Sequence, residues 1–166
     1  MPTSVTQSQV FTDLRALILS VITCEVVKGF DNKVPMPVGG FILMSPMNMT
    51  RLSTNIETYT DPITTIGTAD WTQSIQFNVQ IDCYGPLSGD WAAIITTLLR
   101  SEYATDIMVN CKPLYATDPQ QLALVDGEQQ YELRWTFDAA IQYNPSISTP
   151  MQFASTLGPV TIYSEQ

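Results

Sequence analysis

Two stretches of the chain alternate apolar and polar residues with period two. Between Thr72 and Cys83 the odd positions hold Ile75, Phe77, Val79, Ile81 and Cys83, and the even ones hold Thr72, Ser74, Gln76, Asn78, Gln80 and Asp82. From Gln130 to Tyr143 the pattern returns, with Tyr131, Leu133, Trp135, Phe137, Ala139, Ile141 and Tyr143 on one side. Successive side chains of a strand point to opposite faces. Each stretch therefore predicts a long strand with one dry and one wet face, as in an antiparallel sheet covered on one side. Between them, Trp91, Ile94, Ile95, Leu98 and Leu99 recur at helical spacing, with Asp90 in the first turn and Ser88 placed to cap. That helix predicts a layer in which Ile75, Phe77, Val79, Ile81, Tyr131, Leu133, Trp135 and Phe137 meet Trp91, Ile95 and Leu98.

The remaining elements follow from weaker signals. A first helix is expected from about Ser4 to Lys28, opened by a capping box of Ser4 with Gln7 or Thr6 with Gln9. Its stripe of Phe11, Leu14, Leu17, Ile18, Val21 and Ile22 ends at Lys28 and Gly29, a favourable stop. Residues 30–40 form a turn-rich connector. Strands are expected at Phe41–Met44 and Thr50–Tyr59, separated by Ser45-Pro46-Met47-Asn48, and residues 60–70 read as a polar loop. A short strand is expected within Ile107–Tyr115. Thr149-Pro150-Met151-Gln152 has the form of a helix start, and a last strand is expected near Val160–Tyr163. The order predicts a single α+β domain over residues 1–166, a largely antiparallel twisted sheet with helices packed on one face.

Composition narrows what such a domain can do. The chain has 166 residues, of which 45% are hydrophobic, enough for a substantial core. Only 14% are charged, against roughly 25% in an ordinary soluble chain. Seven Lys and Arg against sixteen Asp and Glu leave a net charge of −9. The basic residues are scattered, so tight phosphate binding and attraction to an anionic membrane are both unexpected. Apolar runs are too short for a membrane-spanning helix, and residues 1–12 lack the basic-then-apolar order of a secretory signal.

There is no histidine, which removes Ser-His-Asp, Cys-His and His-ligated metal chemistry. Cys24, Cys83 and Cys111 are odd in number and lack CxxC spacing, so they read as reduced, inert thiols. No phosphate-binding, nucleophile-elbow or calcium-loop motif occurs. The turn Gly85-Pro86-Leu87-Ser88-Gly89-Asp90 holds a serine with no nearby base, and Asp82 and Asp90 make a weak carboxylate pair. No catalytic residue, metal site or cofactor is expected. The methionines stand out instead: Met36, Met44, Met47 and Met49 fall within fourteen residues, beside Phe41 and Ile42. Flexible, polarizable methionine suits adaptable contact surfaces as well as core filling. Together with Ile63 and Ile66 in the 60–70 loop, these methionines are the expected interface residues.

One connected run carries a resemblance. Gln80-Ile-Asp-Cys-Tyr-Gly-Pro-Leu-Ser-Gly-Asp-Trp-Ala-Ala is followed by Leu98, Leu99 and Arg100. With it stand Asp31-Asn-Lys-Val-Pro-Met-Pro, Cys111-Lys-Pro-Leu-Tyr-Ala-Thr-Asp-Pro and Gly127-Glu-Gln-Gln-Tyr-Glu-Leu-Arg-Trp. In combination these resemble the neck and tail terminator proteins of tailed phages, over essentially the whole chain. The resemblance implies a tail-terminator-like fold and a structural virion protein assembled in the host cytoplasm. It implies a homo-oligomeric ring, a hexamer, that caps the tail tube and joins it to the head–tail connector protein. The implied partners are further copies of the chain, the tail-tube protein and the connector, with DNA passing unbound. Another ring or tube component, such as a tail-tube or head-completion protein, is the nearest alternative. A small hydrolase using Asp82, Asp90 or Ser88, and a ligand-binding module, are more distant ones. In a ring around DNA, the acidic residues Glu57, Asp82, Glu132 and Asp138 are expected to face the passage, with Arg134 opposing them.

Overall fold

A computed structural model describes residues 4–30, 37–62, 66–125 and 131–153. Helix α1 (Gln7–Leu19) is opened by Thr6, whose hydroxyl accepts from the Gln9 amide while the Gln9 side chain accepts from the Thr6 amide at 2.8 Å. That capping box satisfies two donors that the first turn leaves free. Val10, Phe11, Leu14, Leu17 and Ile18 fill its buried face. Asp13 lies on the same face, buried, and accepts from the Asn110 backbone amide at 2.6 Å and from the Asn110 side chain at 3.1 Å.

The helix does not run on to Lys28 as the pattern predicts. It stops at Ser20, whose hydroxyl donates to the Leu17 carbonyl at 2.7 Å, and the chain then forms strand β1 (Glu25–Lys28). Val21, Ile22, Thr23, Val26 and Val27 are β-branched, a class that favours strands. Lys28 therefore closes a strand, and its ammonium lies 5.1 Å from the centre of the Phe11 ring.

Strand β2 (Phe41–Arg51) is continuous where two strands were expected. The intervening Ser45-Pro46-Met47-Asn48 is a β-bulge, marked by a register shift between Pro46 and Met49, so its turn-forming residues distort the strand without ending it. Strands β3 (Ile56–Thr60), β4 (Gly67–Thr72) and β5 (Ile75–Tyr84) follow. The expected polar loop 60–70 thus contains four of the six residues of β4.

Helix α2 (Ser88–Leu98) begins after Leu87, which supplies the cap position; Ser88 is buried inside the first turn and does not cap. The turn into it requires Gly85, at φ 104°, where a side chain would strike the backbone of Gly40. The buried stripe of α2 is Ala92, Ile95 and Thr96, continued by Leu99 just beyond it; Ile95 and Leu99 are buried as expected and Trp91 packs against the core, whereas Ile94 is exposed. Helix α3 (Glu102–Ile107) leads to strands β6 (Lys112–Ala116), β7 (Gln120–Val125), β8 (Tyr131–Tyr143) and β9 (Ser146–Met151). The helix start expected at Thr149-Pro150 is part of β9, an edge strand, where proline costs no ladder bond. The strand expected near Val160–Tyr163 lies outside the described residues.

The main sheet has the order β1-β2-β5-β8-β6, with β7 also pairing with β8. Only β1 and β2 run parallel. Strands β6 and β7 run in the same direction along β8, interrupted at 117–119, so they form one broken edge. All three helices pack on the same face and close one core around Leu14, Leu17, Ile42, Phe77, Ile81, Ile95, Phe137 and Ile141. This is the α+β architecture that the periodicity predicts. Leu133 is an exception among the expected core residues, being 45% exposed. The side chain of Tyr131 lies outside the described residues.

Burial separates two residues that the alternation treats alike. Phe77→Ala empties a fully packed site and should cost about 3–5 kcal/mol. Leu133→Ala should cost under about 1 kcal/mol, as a half-exposed side chain leaves no cavity. Urea unfolding midpoints of the two variants check the contrast, and equal shifts would contradict it.

Candidate assembly surfaces

The residues that could suggest chemistry are each held in a structural role. Asp82 is 2% exposed although it sits on the nominally wet face of β5. Its carboxylate accepts from Arg134 at 3.0 Å and 3.2 Å and from the Gln80 amide at 3.0 Å. The Arg134 guanidinium in turn lies 5.5 Å from the centre of the Tyr84 ring. Burial pushes the Cys83 and Cys111 thiols up to about 12, with nearby acids adding to the effect, and it raises Cys24 as well. Thiolate is the reactive form, so these are poor nucleophiles at neutral pH. Among the described residues no three His, Cys, Asp or Glu side chains converge on a metal position, and no helix is long and apolar enough to cross a membrane.

The expected interface residues fall into different places. Met44 is 1% exposed and belongs to the core. Met47 and Met49 are exposed at the bulge of β2; the Met49 sulfur accepts from the Gln7 amide at 3.4 Å and the Tyr143 hydroxyl at 3.3 Å. Ile66 is exposed before β4. Met36 and Ile63 lie outside the described residues.

A feature that sequence reasoning missed connects several of these. Strands β3, β4 and β9 form a second, three-stranded antiparallel sheet. Their order repeats that of β2, β5 and β8, and each is the chain continuation of one of those strands across a short bend. The Leu52 amide donates to the Ser74 carbonyl and the Gln73 amide to the Pro145 carbonyl, tying the three bends side by side. The second sheet is therefore an arm, built by the three central strands running past the helical layer.

The pairing register gives the arm two unlike faces. Glu57 opposes Trp71 and Tyr59 opposes Ala69; across β4, Trp71 opposes Ile147, Ala69 opposes Thr149 and Gly67 opposes Met151. These residues share one face, where the Trp71 indole donates to Thr149 and the Tyr59 ring meets Phe153 edge to face. The other face carries Thr58, Thr60, Thr68, Asp70, Thr72, Ser146 and Ser148, with Ile56 and Pro150 at its ends. Tyr59, Ile147 and Met151 are exposed. Period two is present in Ile147, Thr149 and Met151, yet Pro150 and the shortness of the run hide it.

The four acidic residues expected together are dispersed. Glu57 is on the arm's apolar face and accepts from the Tyr59 hydroxyl at 2.7 Å, which holds that hydroxyl above its ordinary range. Asp138 is exposed on the outer face of the main sheet, beside an open groove with Gln80, Thr117, Gln120 and Thr136. Asp82 is buried and ion-paired, so it is not a free charge on a wet wall as expected. Glu132 is in β8, but its side chain lies outside the described residues.

A family model described as phage neck terminator protein matches residues 8–166. No curated protein matches the chain.

Two outcomes follow from the buried groups. Asp82→Asn removes the charge that Arg134 pairs with and should cost about 2 kcal/mol, while Asp138→Asn should be near neutral; denaturant titration distinguishes them. The thiols ionise near 9 once unfolded but only at about 12 when buried, as in Cys83 and Cys111. Stability is thus insensitive to these groups below pH 9 and should fall as pH rises from 9 towards 12, because only the unfolded chain loses the proton there. Melting temperatures of the wild type and Cys83→Ala/Cys111→Ala across that range check the sign.

Proposed function

Because the chain belongs to the phage neck terminator family, a family of structural virion proteins, we propose that its copies close into a homohexameric ring at the head-proximal end of the tail tube, built in the host cytoplasm. The ring stops tube growth on one side and offers a seat for the head–tail connector on the other. The observation that carries this reading is the pair of projections at opposite ends of β8. The β7–β8 hairpin runs past the last pairing of β5 with β8, Tyr84 with Arg134, and the three-stranded arm begins beyond Tyr143. A subunit that must meet two different neighbours along one axis needs contact elements at both ends, with a rigid sheet between them.

The outer face of the main sheet supports a place along the DNA passage. Gln76, Asn78, Gln80, Thr136, Asp138 and Gln142 lie on it, and its one arginine, Arg134, is committed to Asp82. Among the described residues of β5 and β8 this wall offers phosphate no free cation, Lys112 at its β6 edge is held by the Thr105 and Met108 carbonyls, and six copies at −9 each give about −54 for the ring. DNA then gains nothing from counterion release and passes without sticking. Of the expected lining residues, Asp138 fits this role; Asp82 acts by neutralising Arg134. Met47, Met49 and Ile66, exposed at the bulge and at the arm's hairpin, serve as contacts to adjoining proteins.

Mixing the purified chain with tail tubes that lack their cap tests the proposal. The expected result is a closed oligomer of about 110 kDa, six times 18.4 kDa, seated on one end of each tube without growing into tubes itself. Polymerisation would make it a tube component, and no attachment would remove the terminator role. For the passage, Asp138→Lys particles should assemble but release DNA more slowly, the defect easing at high salt. Normal release would contradict the lining assignment.

A further inference from the structure

The arm's apolar face is covered only in part: the Phe153 ring lies over Gly67 and against Tyr59, and Ala69 is buried, while the Trp71 end carries no further layer among the described residues. A sheet with one apolar face normally buries that face against another element. Here the helical layer ends with β2, β5 and β8, and among the described residues no helix packs on the arm. Tyr59 is 49% exposed, Ile147 and Met151 40% each, and Trp71 is half-buried. Contiguous exposed aromatic and aliphatic groups of this kind mark a contact surface. One charged group stands on that face, Glu57, and it takes part in no ion pair among the described residues. Residues 52–75 and 144–153 contain no lysine or arginine, so the arm is uniformly acidic or neutral.

The complementary surface is on the opposite flank of the same chain. Strand β1 is the free edge of the main sheet. Beside it, Arg15 donates to the Val26 carbonyl at 3.4 Å and Lys28 lies over Phe11. Both cations are exposed, and neither is ion-paired among the described residues. Within β1 the one acid is Glu25. Immediately after β1, Phe30 is 82% exposed at φ 64°, the left-handed region that a bulky residue rarely adopts. A large ring held out at a free sheet edge in that conformation is another unpartnered contact group.

Resting on the ring reading above, we infer that the apolar face of the arm, centred on Trp71 and Glu57, docks onto the β1 edge of the next copy of this chain, where Lys28, Arg15 and Phe30 receive it. The contact is between copies because one chain cannot make it with itself. Strand β1 ends opposite Met44, and seven residues of extended β2, Ser45–Arg51, separate that point from the arm. At about 3.3 Å per residue this is roughly 23 Å, and the bridged bends hold the arm beyond it. The two surfaces differ, so the contact is head-to-tail and propagates around an axis until the ring closes. The apolar groups supply burial, and the Glu57–cation pair fixes orientation.

Charge reversal on the full chain tests the inference. Glu57→Lys and, separately, the pair Arg15→Glu/Lys28→Glu should each raise the protein concentration needed for ring assembly by about tenfold, as read by native mass spectrometry. Combining all three should restore assembly to near the wild-type concentration. All these side chains are exposed, and unchanged melting temperatures would confirm that the variants fold. Trp71→Ala should weaken assembly without rescue. The part of the tryptophan emission that Trp71→Phe removes should be open to acrylamide quenching in the dilute monomer and shielded in the ring. Rings that form equally well in every variant, or a triple variant that stays dissociated, would overturn this contact and leave the ring reading standing. A Trp71 already shielded in the monomer would also overturn it, by showing that the chain covers its own arm. A chain that is monomeric at every concentration, wild type included, would overturn both.

Discussion

Strands β2, β5 and β8 are longer than the helical layer that covers them, and the rest of the molecule follows from that mismatch. Where α1, α2 and α3 lie over the sheet, the alternation of apolar and polar residues builds a core around Phe77, Ile81 and Ile141. Past the end of the helices the same three strands bend together at residues 52–55, 73–74 and 144–145 and continue as β3, β4 and β9. Backbone bonds across the bend keep the two halves in register. One set of strands is thereby a folding core at one end and a largely exposed arm at the other.

This division explains why chemistry is hard to find in the chain. Its charged and nucleophilic groups are largely spent on holding loops and strands. Asp13 fixes the Asn110 turn, Lys112 donates to the Thr105 and Met108 carbonyls at 2.6 Å and 2.7 Å, and Arg134 neutralises Asp82. What remains outside is mainly neutral and hydrogen-bonding, the composition of a wet interface rather than a catalytic cleft. On the proposed reading the subunit recognises protein surfaces and lets DNA by, and neither task needs an activated side chain.

The legible parts of the sequence were those with one covered face and enough length to show a period. β5, β8 and α2 meet both conditions, and the antiparallel α+β class follows from them. The β1 strand was hidden because Val21 to Val27 extend the helical stripe of α1, and the β-branching that favours a strand competes with that pattern. β4 and β9 were hidden because half of their residues are threonine, serine and proline and resemble a loop, and because Gly67 and Ala69, buried on the other face, carry little apolar signal. Asp82 shows a third limit. Its position in the alternation is wet, but Arg134, Gln80 and Tyr84 close over it, and only the pairing register reveals that they meet. The candidate contact residues were correspondingly partial: Met47, Met49 and Ile66 are exposed, Met44 is core, Trp71 reads from sequence as either a core or a contact residue, and Ile147 and Met151 were not anticipated.

The central claim is that this chain works as a ring subunit whose partly covered arm is completed by its neighbours. The most direct measurement is an electron-microscopic reconstruction of the particle neck in which this chain is traced. The account predicts one closed ring between tube and connector, with the Trp71 face of each arm buried against the adjacent copy. Finding the chain stacked repeatedly along the tube, or its arms facing solvent in a closed ring, would contradict it.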